Sequence, residues 1–190
     1  MIIASQKRKE NIAEYILYMW QIEDIIRANQ LDIDKIRQNV VDKYQLDNDQ
    51  KCKIAEWYDS LIDMMRHEGT EKSGHLQINK NMITQLAELH QAMLKNPKFA
   101  DYTAEFYRTL PYIVELRSKA GENKSGEIET CFNALYGMLM LRLQGKEVST
   151  DTLNAVKQIT HFLAVLARNF HLDEAGKLFD VCDDSNTDAK

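Results

Sequence analysis

The chain holds little that would interrupt a helix: 2 prolines and 7 glycines in 190 residues. With Leu, Ile, Met, Lys, Glu and Gln abundant, that scarcity of breakers favours helix almost everywhere. Cysteine is scarce as well. Cys52, Cys131 and Cys182 are odd in number and lack a C-x-x-C spacing, so a secreted disulfide framework is excluded. Basic residues are not in excess. The net charge is −5 at pH 7, whereas a general nucleic-acid binder needs a basic face. No apolar run approaches the ~20 residues that span a bilayer. The longest candidate, Cys131 to Leu143, is short and contains Asn133 and Arg142. Lys7-Arg8-Lys9 followed by apolar residues from Ile12 has the outline of a signal peptide. Glu14, Glu23 and Asp24 interrupt it, however, and no small-residue cleavage site follows. The expected setting is cytoplasmic, with neither membrane nor nucleic acid as partner.

What is present is helical periodicity. Six of the seven glycines and one of the two prolines fall between or beyond apolar-periodic stretches, as helix punctuation should. The pattern predicts helices over about Ser5–Ala28, a short one after Asp32, then Asp49–Gly69 and Leu76–Lys95. It continues with one carrying Phe99, Tyr102, Phe106, Leu110 and Ile113, then Gly126–Gln144, and a last one from Ser149/Thr150 to about Phe170. Pro111 lies inside the fifth and should kink it. No segment alternates long enough for a strand, and no 34- or 40-residue period repeats. The expectation is one all-α domain, a single bundle of six to seven helices over residues 1–175. Residues 176–190 form an acidic, disordered tail. From Leu172 to Lys190 there are six acids against two lysines.

Two helices look central. The segment CFNALYGMLMLRL is apolar around nearly its whole circumference, which predicts burial on several sides. Gly137 in its middle costs ~1 kcal/mol against alanine, so close approach of another helix is expected there. The first helix carries a stripe of Ile12, Tyr15, Ile16, Met19, Ile22 and Ile26. Leu17, Trp20 and Ile25 widen the apolar surface beyond what one neighbour covers. Either several helices pack on it, or Leu17, Trp20 and Ile25 face a protein partner or a second copy.

Catalytic and cofactor motifs are missing. A di-iron bundle needs Glu-x-x-His, and neither that nor His-Glu-x-x-His occurs. G-x-x-x-x-G-K, G-x-G-x-x-G and G-x-S-x-G are absent too, so no cofactor and no metal are expected. Cys131, among apolar neighbours, reads as an inert core thiol. Projected at 100° per residue, His67 and His161 fall on polar faces, and His75 and His171 lie in connections. His90 falls inside an apolar arc with Ile83, Leu86, Met93 and Leu94, the position of a satisfied core histidine.

Charged residues also break apolar faces. Glu23 projects between Ile12 and Ile16, with Arg27 as its favourable i, i+4 partner. Arg142 sits among Cys131, Leu135 and Leu139. Two readings stand: a Glu23–Arg27 pair at the stripe edge with Arg142 reaching out to solvent, or a buried polar cluster. In the second, Glu23 requires a cationic partner.

The opening stretch, IIASQKRKENIAEYILYMWQIEDIIRANQLDIDKI, resembles an uncharacterised family of bacterial cytoplasmic proteins classed as a domain of unknown function. The resemblance implies a helical bundle and supplies no activity, cofactor or catalytic residue. Two functions follow from the residues themselves. One is a non-catalytic protein acting through self-association or a protein partner at Leu17, Trp20 and Ile25. The alternative is a small-ligand-binding protein or enzyme with a polar pocket between helices, lined by Glu23, Arg27, His90 and Arg142.

Overall fold

The computed structural model describes residues 2–121 and 125–179. Every regular element among them is helical, as the periodicity predicts. There are eight α-helices: α1 (Ile2–Glu10), α2 (Ile12–Ala28), α3 (Ile33–Asn39), α4 (Asn48–His67), α5 (Gln77–Leu94), α6 (Ala100–Lys119), α7 (Glu127–Leu143) and α8 (Thr150–Glu174). Single 3-10 turns precede α4 and α6.

The extra helix comes from Asn11, which divides the long first helix in two. Asn11 is extended (φ −157°, ψ 106°), and its side chain accepts from the N–H groups of Ala13 and Glu14. It therefore caps α2 as α1 ends. Asp32, Asp47 and Ser149 cap α3, α4 and α8 in the same way. Pro111 does not end α6, which continues to Lys119.

α2 lies between two apolar cores. On one side, α5, α6, α7 and α8 touch each other pairwise as a four-helix bundle. Its core holds Ile12, Ile16, Trp20, Leu86, Met93, Phe106, Phe132, Phe162 and Leu166. On the other side, α1, α3 and α4 bury Ala4, Ile36, Tyr58, Ile62 and Met65 against Met19, Ile22 and Ile26. This arrangement explains the broad apolar surface of α2 and matches the first of its two readings, several helices packing on it, and not the one that leaves Leu17, Trp20 and Ile25 uncovered. Trp20 is 2% exposed in the first core. Leu17 is half-buried against the same core and Ile25 against the second. Two facing layers account for the width of the stripe.

α7 departs from expectation in the opposite direction. Its buried residues are Ile128, Thr130, Cys131, Phe132 and Met138. Its second half is only partly covered, with Leu143 at 71% exposure. Among the described residues no helix approaches Gly137, where an added Cβ meets nothing within 4 Å. At the other end of the bundle, Leu178 is buried and Phe179 rests edge-on against Phe99. The four residues after Ala175 therefore include core. The rest of the acidic stretch, from Asp180 onward, lies outside the described residues.

Candidate functional site

Trp20, Glu23, Asp24 and Arg27 recur at helical spacing on one side of α2. That side gathers the connection 68–76, the start of α5 and the middle of α7. Glu23 is fully buried, and the second of the two sequence readings holds, with a different partner. Its Oε2 accepts from His75 Nδ1 at 2.6 Å. Its Oε1 accepts from the Leu76 backbone N–H at 2.9 Å and from Asn79 Nδ2 at 2.6 Å. Arg27 makes no bond to Glu23. It binds Asp24 Oδ1 at 2.8 Å, the Thr70 carbonyl at 3.1 Å and the Gly74 carbonyl, so it holds the 68–76 connection down on α2.

The placement of Glu23 follows from a missing cap. α5 begins at Gln77 after Leu76, whose side chain can accept nothing. The first N–H groups of a helix need partners and carry partial positive charge. Two distant carboxylates supply them: Glu23 at Leu76 N–H, and Glu68 at Gln77 N–H, 2.6 Å away. Burying a lone carboxylate costs several kcal/mol, which three convergent N–H donors and the helix end offset.

His75 completes the group. Its ring stacks on Trp20 with centroids 4.0 Å apart and planes 11° from parallel. Trp20 is boxed in on its other sides by Phe132 and Tyr136, both edge-on. Tyr136 donates to Asp24 Oδ2 at 2.5 Å, tying α7 to α2. Burial and the Asp24 carboxylate together push the Tyr136 hydroxyl well above the usual phenol range. Because a carboxylate only accepts, His75 donates from Nδ1, which leaves Nε2 on the far side of the ring. That nitrogen has no partner among the described residues, and the side chain is 26% exposed.

A cleft of about 440 Å³ opens beside this group, walled by Trp20, His75, Asn79, Lys80, Ile83 and Glu129 among others. A second cleft of about 690 Å³ shares Ile83, Thr84 and Glu129 with it and continues along α5 and α7 past Ala87, Ala92 and Ile128. Two buried polar atoms of the first cleft's walls have no hydrogen-bond partner, Trp20 Nε1 and Asn79 Oδ1. Among the described residues, no group of three or more His, Cys, Asp or Glu could hold a metal ion.

The four residues expected to line one pocket do not converge. Glu23 and Arg27 belong to this neighbourhood. His90 lies eleven residues beyond Asn79 on α5, about 16 Å along the helix axis. It is buried, shares a hydrogen bond between Nδ1 and Tyr102 Oη (2.6 Å), and has Nε2 3.5 Å from Glu127 Oε2. Burial lowers its pKa below the ordinary 6.5, although the Glu127 carboxylate acts the other way. Nearby Cys131 is fully buried, and burial pushes its thiol up to about 12, so it is no nucleophile. Arg142 is exposed in the last turn of α7 and forms no wall of either cleft. Sequence reading missed His75 and Asn79. The available signal was a helix start with Leu76 in the capping position, which demands an acceptor from elsewhere in the chain.

Fold and site thus define an all-helical protein with a polar cleft set against a four-helix bundle. The chain belongs to a family described as a domain of unknown function, DUF4924, whose model matches residues 1–177. Comparison with curated proteins and with solved structures found no match.

Proposed function

We propose that the chain is a small-ligand-binding protein whose site is the cleft between α2, the 68–76 connection and the first turns of α5. One observation carries the reading. A concave site has Trp20 Nε1 and Asn79 Oδ1 in its walls, both buried without a hydrogen-bond partner, beside the partly exposed ring of His75. Buried polar groups in folded proteins are overwhelmingly paired, and convergent unpaired ones in a cleft mark a ligand site. Glu23 acts through His75 and α5 as a positioning residue, and Arg27 positions the connection. The cytoplasm is the proposed location, in keeping with a free, exposed Cys52. The test is a fragment screen read by amide chemical shifts. Ligands of this cleft shift Gly74, His75, Lys80 and Thr84, and His75→Ala removes those shifts. Fragments that bind only elsewhere refute the assignment.

A second reading, association with a protein partner or a second copy, draws support from α7 instead of α2. Gly137 faces open space, and Leu143 is the most exposed large apolar side chain among the described residues. Light scattering decides the self-association part: a strict monomer at high concentration removes it.

A further inference from the structure

We infer that the outer face of α6 is a contact between two copies of this chain, packed antiparallel about a two-fold axis at Pro111. The inner face of α6 supplies Tyr102, Phe106 and Ile113 to the bundle core. The outer face carries Tyr107, Pro111 and Val114, which recur at i, i+4 and i+7 and so form one stripe. Tyr107 is 62% and Val114 58% exposed, and Pro111 between them is exposed as well. Ala104 and Ser118 extend the stripe at its two ends. Both are small and exposed, so a second helix can lie along the whole face.

Charge identifies what covers it. Asp101, Arg108, Glu115 and Lys119 are all exposed. At 100° per residue they share one flank of the stripe, within about 40° of arc. In chain order their signs run negative, positive, negative, positive, and an antiparallel copy presents the same flank in the reverse order. Along the helix axis, Asp101 and Arg108 lie about 15 and 4.5 Å before Pro111, and Glu115 and Lys119 about 6 and 12 Å after it. A two-fold axis at Pro111 therefore sets Arg108 against Glu115 of the second copy and Asp101 against Lys119 of the second copy, each pair occurring twice. A parallel pair would set every charge against its own kind. The other two charges of α6 lie off this flank: Glu105 is buried and accepts from Gln158 of α8, and Arg117 projects on the opposite side of the stripe. Arg108 Nη1 already lies 3.2 Å from Glu105, and Lys119 Nζ 2.6 Å from Glu115. Both contacts can persist, because a guanidinium has five N–H donors and a carboxylate accepts at about four positions.

A pattern complementary to its own reverse is what a two-fold interface requires, since one patch there meets itself. A single helix pair lies at or below the small end of specific interfaces, about 1,200 Å² in total. The dimer is therefore one in exchange with its monomer, not a permanent one. Its ion pairs set register more than affinity, and salt screens them. This face is separate from the exposed end of α7, and α6 contributes no wall to either cleft beside α5.

The experiment is sedimentation velocity on the full chain from micromolar to millimolar concentration. A monomer–dimer equilibrium that weakens as salt rises is expected. Val114→Lys puts a cation into the stripe opposite Arg108 of the second copy, and is expected to weaken the dimer at least about tenfold. The position is exposed and lysine is a good helix former, so helicity and melting temperature should be unchanged. Arg108→Glu and Glu115→Arg, made singly, set like charges together and are each expected to weaken the dimer by about tenfold. The double variant Arg108→Glu/Glu115→Arg reverses both partners and is expected to recover wild-type association to within about threefold. A strict monomer up to millimolar concentration overturns the inference and leaves the cleft reading untouched. A dimer that Val114→Lys leaves intact overturns it as well, and places the contact on α7 if Leu143→Glu dissolves that dimer. Single reversals without effect, or a double variant that does not recover, overturn the antiparallel pairing.

Discussion

Replacing Glu23 tests whether one buried carboxylate joins α2, α5 and the 68–76 connection. Glu23→Ala removes the acceptor of three N–H groups at once: His75 Nδ1, Leu76 N and Asn79 Nδ2. Leu76 N–H and the Asn79 amide are buried, so neither regains a full complement of water. Each orphaned donor costs about 1–3 kcal/mol, and breaking a buried charged network by deleting one partner typically costs about 3–5 kcal/mol. The expected loss is therefore about 4 kcal/mol, seen as a lower urea midpoint at unchanged slope. For a chain of this size the melting temperature falls by roughly 10 °C.

Glu23→Gln is the discriminating variant. Its carbonyl oxygen can keep Leu76 N–H and Asn79 Nδ2, while its amide N–H now points at His75 Nδ1. His75 must then accept at Nδ1 and carry its proton on Nε2. Loss of the charge costs about 1–2 kcal/mol, far less than in the alanine variant. Nitrogen-15 spectra of the imidazole should show Nδ1–H in the wild type and Nε2–H in the glutamine variant. If glutamine destabilises as much as alanine, or if the His75 tautomer does not change, the network described here is wrong.

Other consequences are simpler. His90 has a folded pKa below its ordinary 6.5 because it is buried, so the unfolded chain binds the proton more readily. Its contribution to stability is full above about pH 6.5 and is lost as pH falls from there toward the folded pKa. His90→Gln should flatten that part of the stability–pH curve, and an NMR titration giving His90 a normal or raised pKa would contradict it. Asn11→Ala removes the side chain that caps α2 and should cost about 0.5–2 kcal/mol in urea denaturation. No measurable loss would mean that α1 and α2 need no cap at their junction. Leu178→Ala should cost about 2–4 kcal/mol, because Leu178 is 5% exposed and belongs to the bundle core. An unchanged midpoint would return residues 176–179 to the tail.

Much of this fold was legible because helix ends and apolar periods are local properties. The starts of α3 and α8 follow from Asp32 and Ser149, whose side chains make the capping bonds expected of them. The break at Asn11 carried a local signal too. Asn11 is followed three residues on by Glu14, the spacing of an N-terminal capping box, but an apolar period running across the junction hid it. The site was half legible for a related reason. Trp20, Glu23 and Arg27 announce themselves as wide or charged intrusions on one apolar stripe. His75 and Asn79 are polar residues at the edge of a connection, and only the tertiary contact to Glu23 gives them meaning.

α2 and α7 mark where periodicity runs out. Both are apolar over most of their circumference, and one-dimensional patterning assigns both to burial on several sides. α2 meets that expectation because a second layer, α1, α3 and α4, covers the face that the four-helix bundle leaves. α7 does not, because among the described residues no layer follows on its outer side: its contacts are with α2, α5, α6 and α8, and Gly137 faces outward. The number of layers around a helix belongs to the whole chain, and no window of eighteen residues contains it. The same holds for charge. Glu23 and Arg142 are alike in sequence, each a charge within an apolar face, but one is sealed against the uncapped start of α5 and the other lies in solvent at a helix end. What separates them is whether a neighbouring element brings hydrogen-bond partners to the charge. The start of α5, with a leucine in its capping position, does so for Glu23.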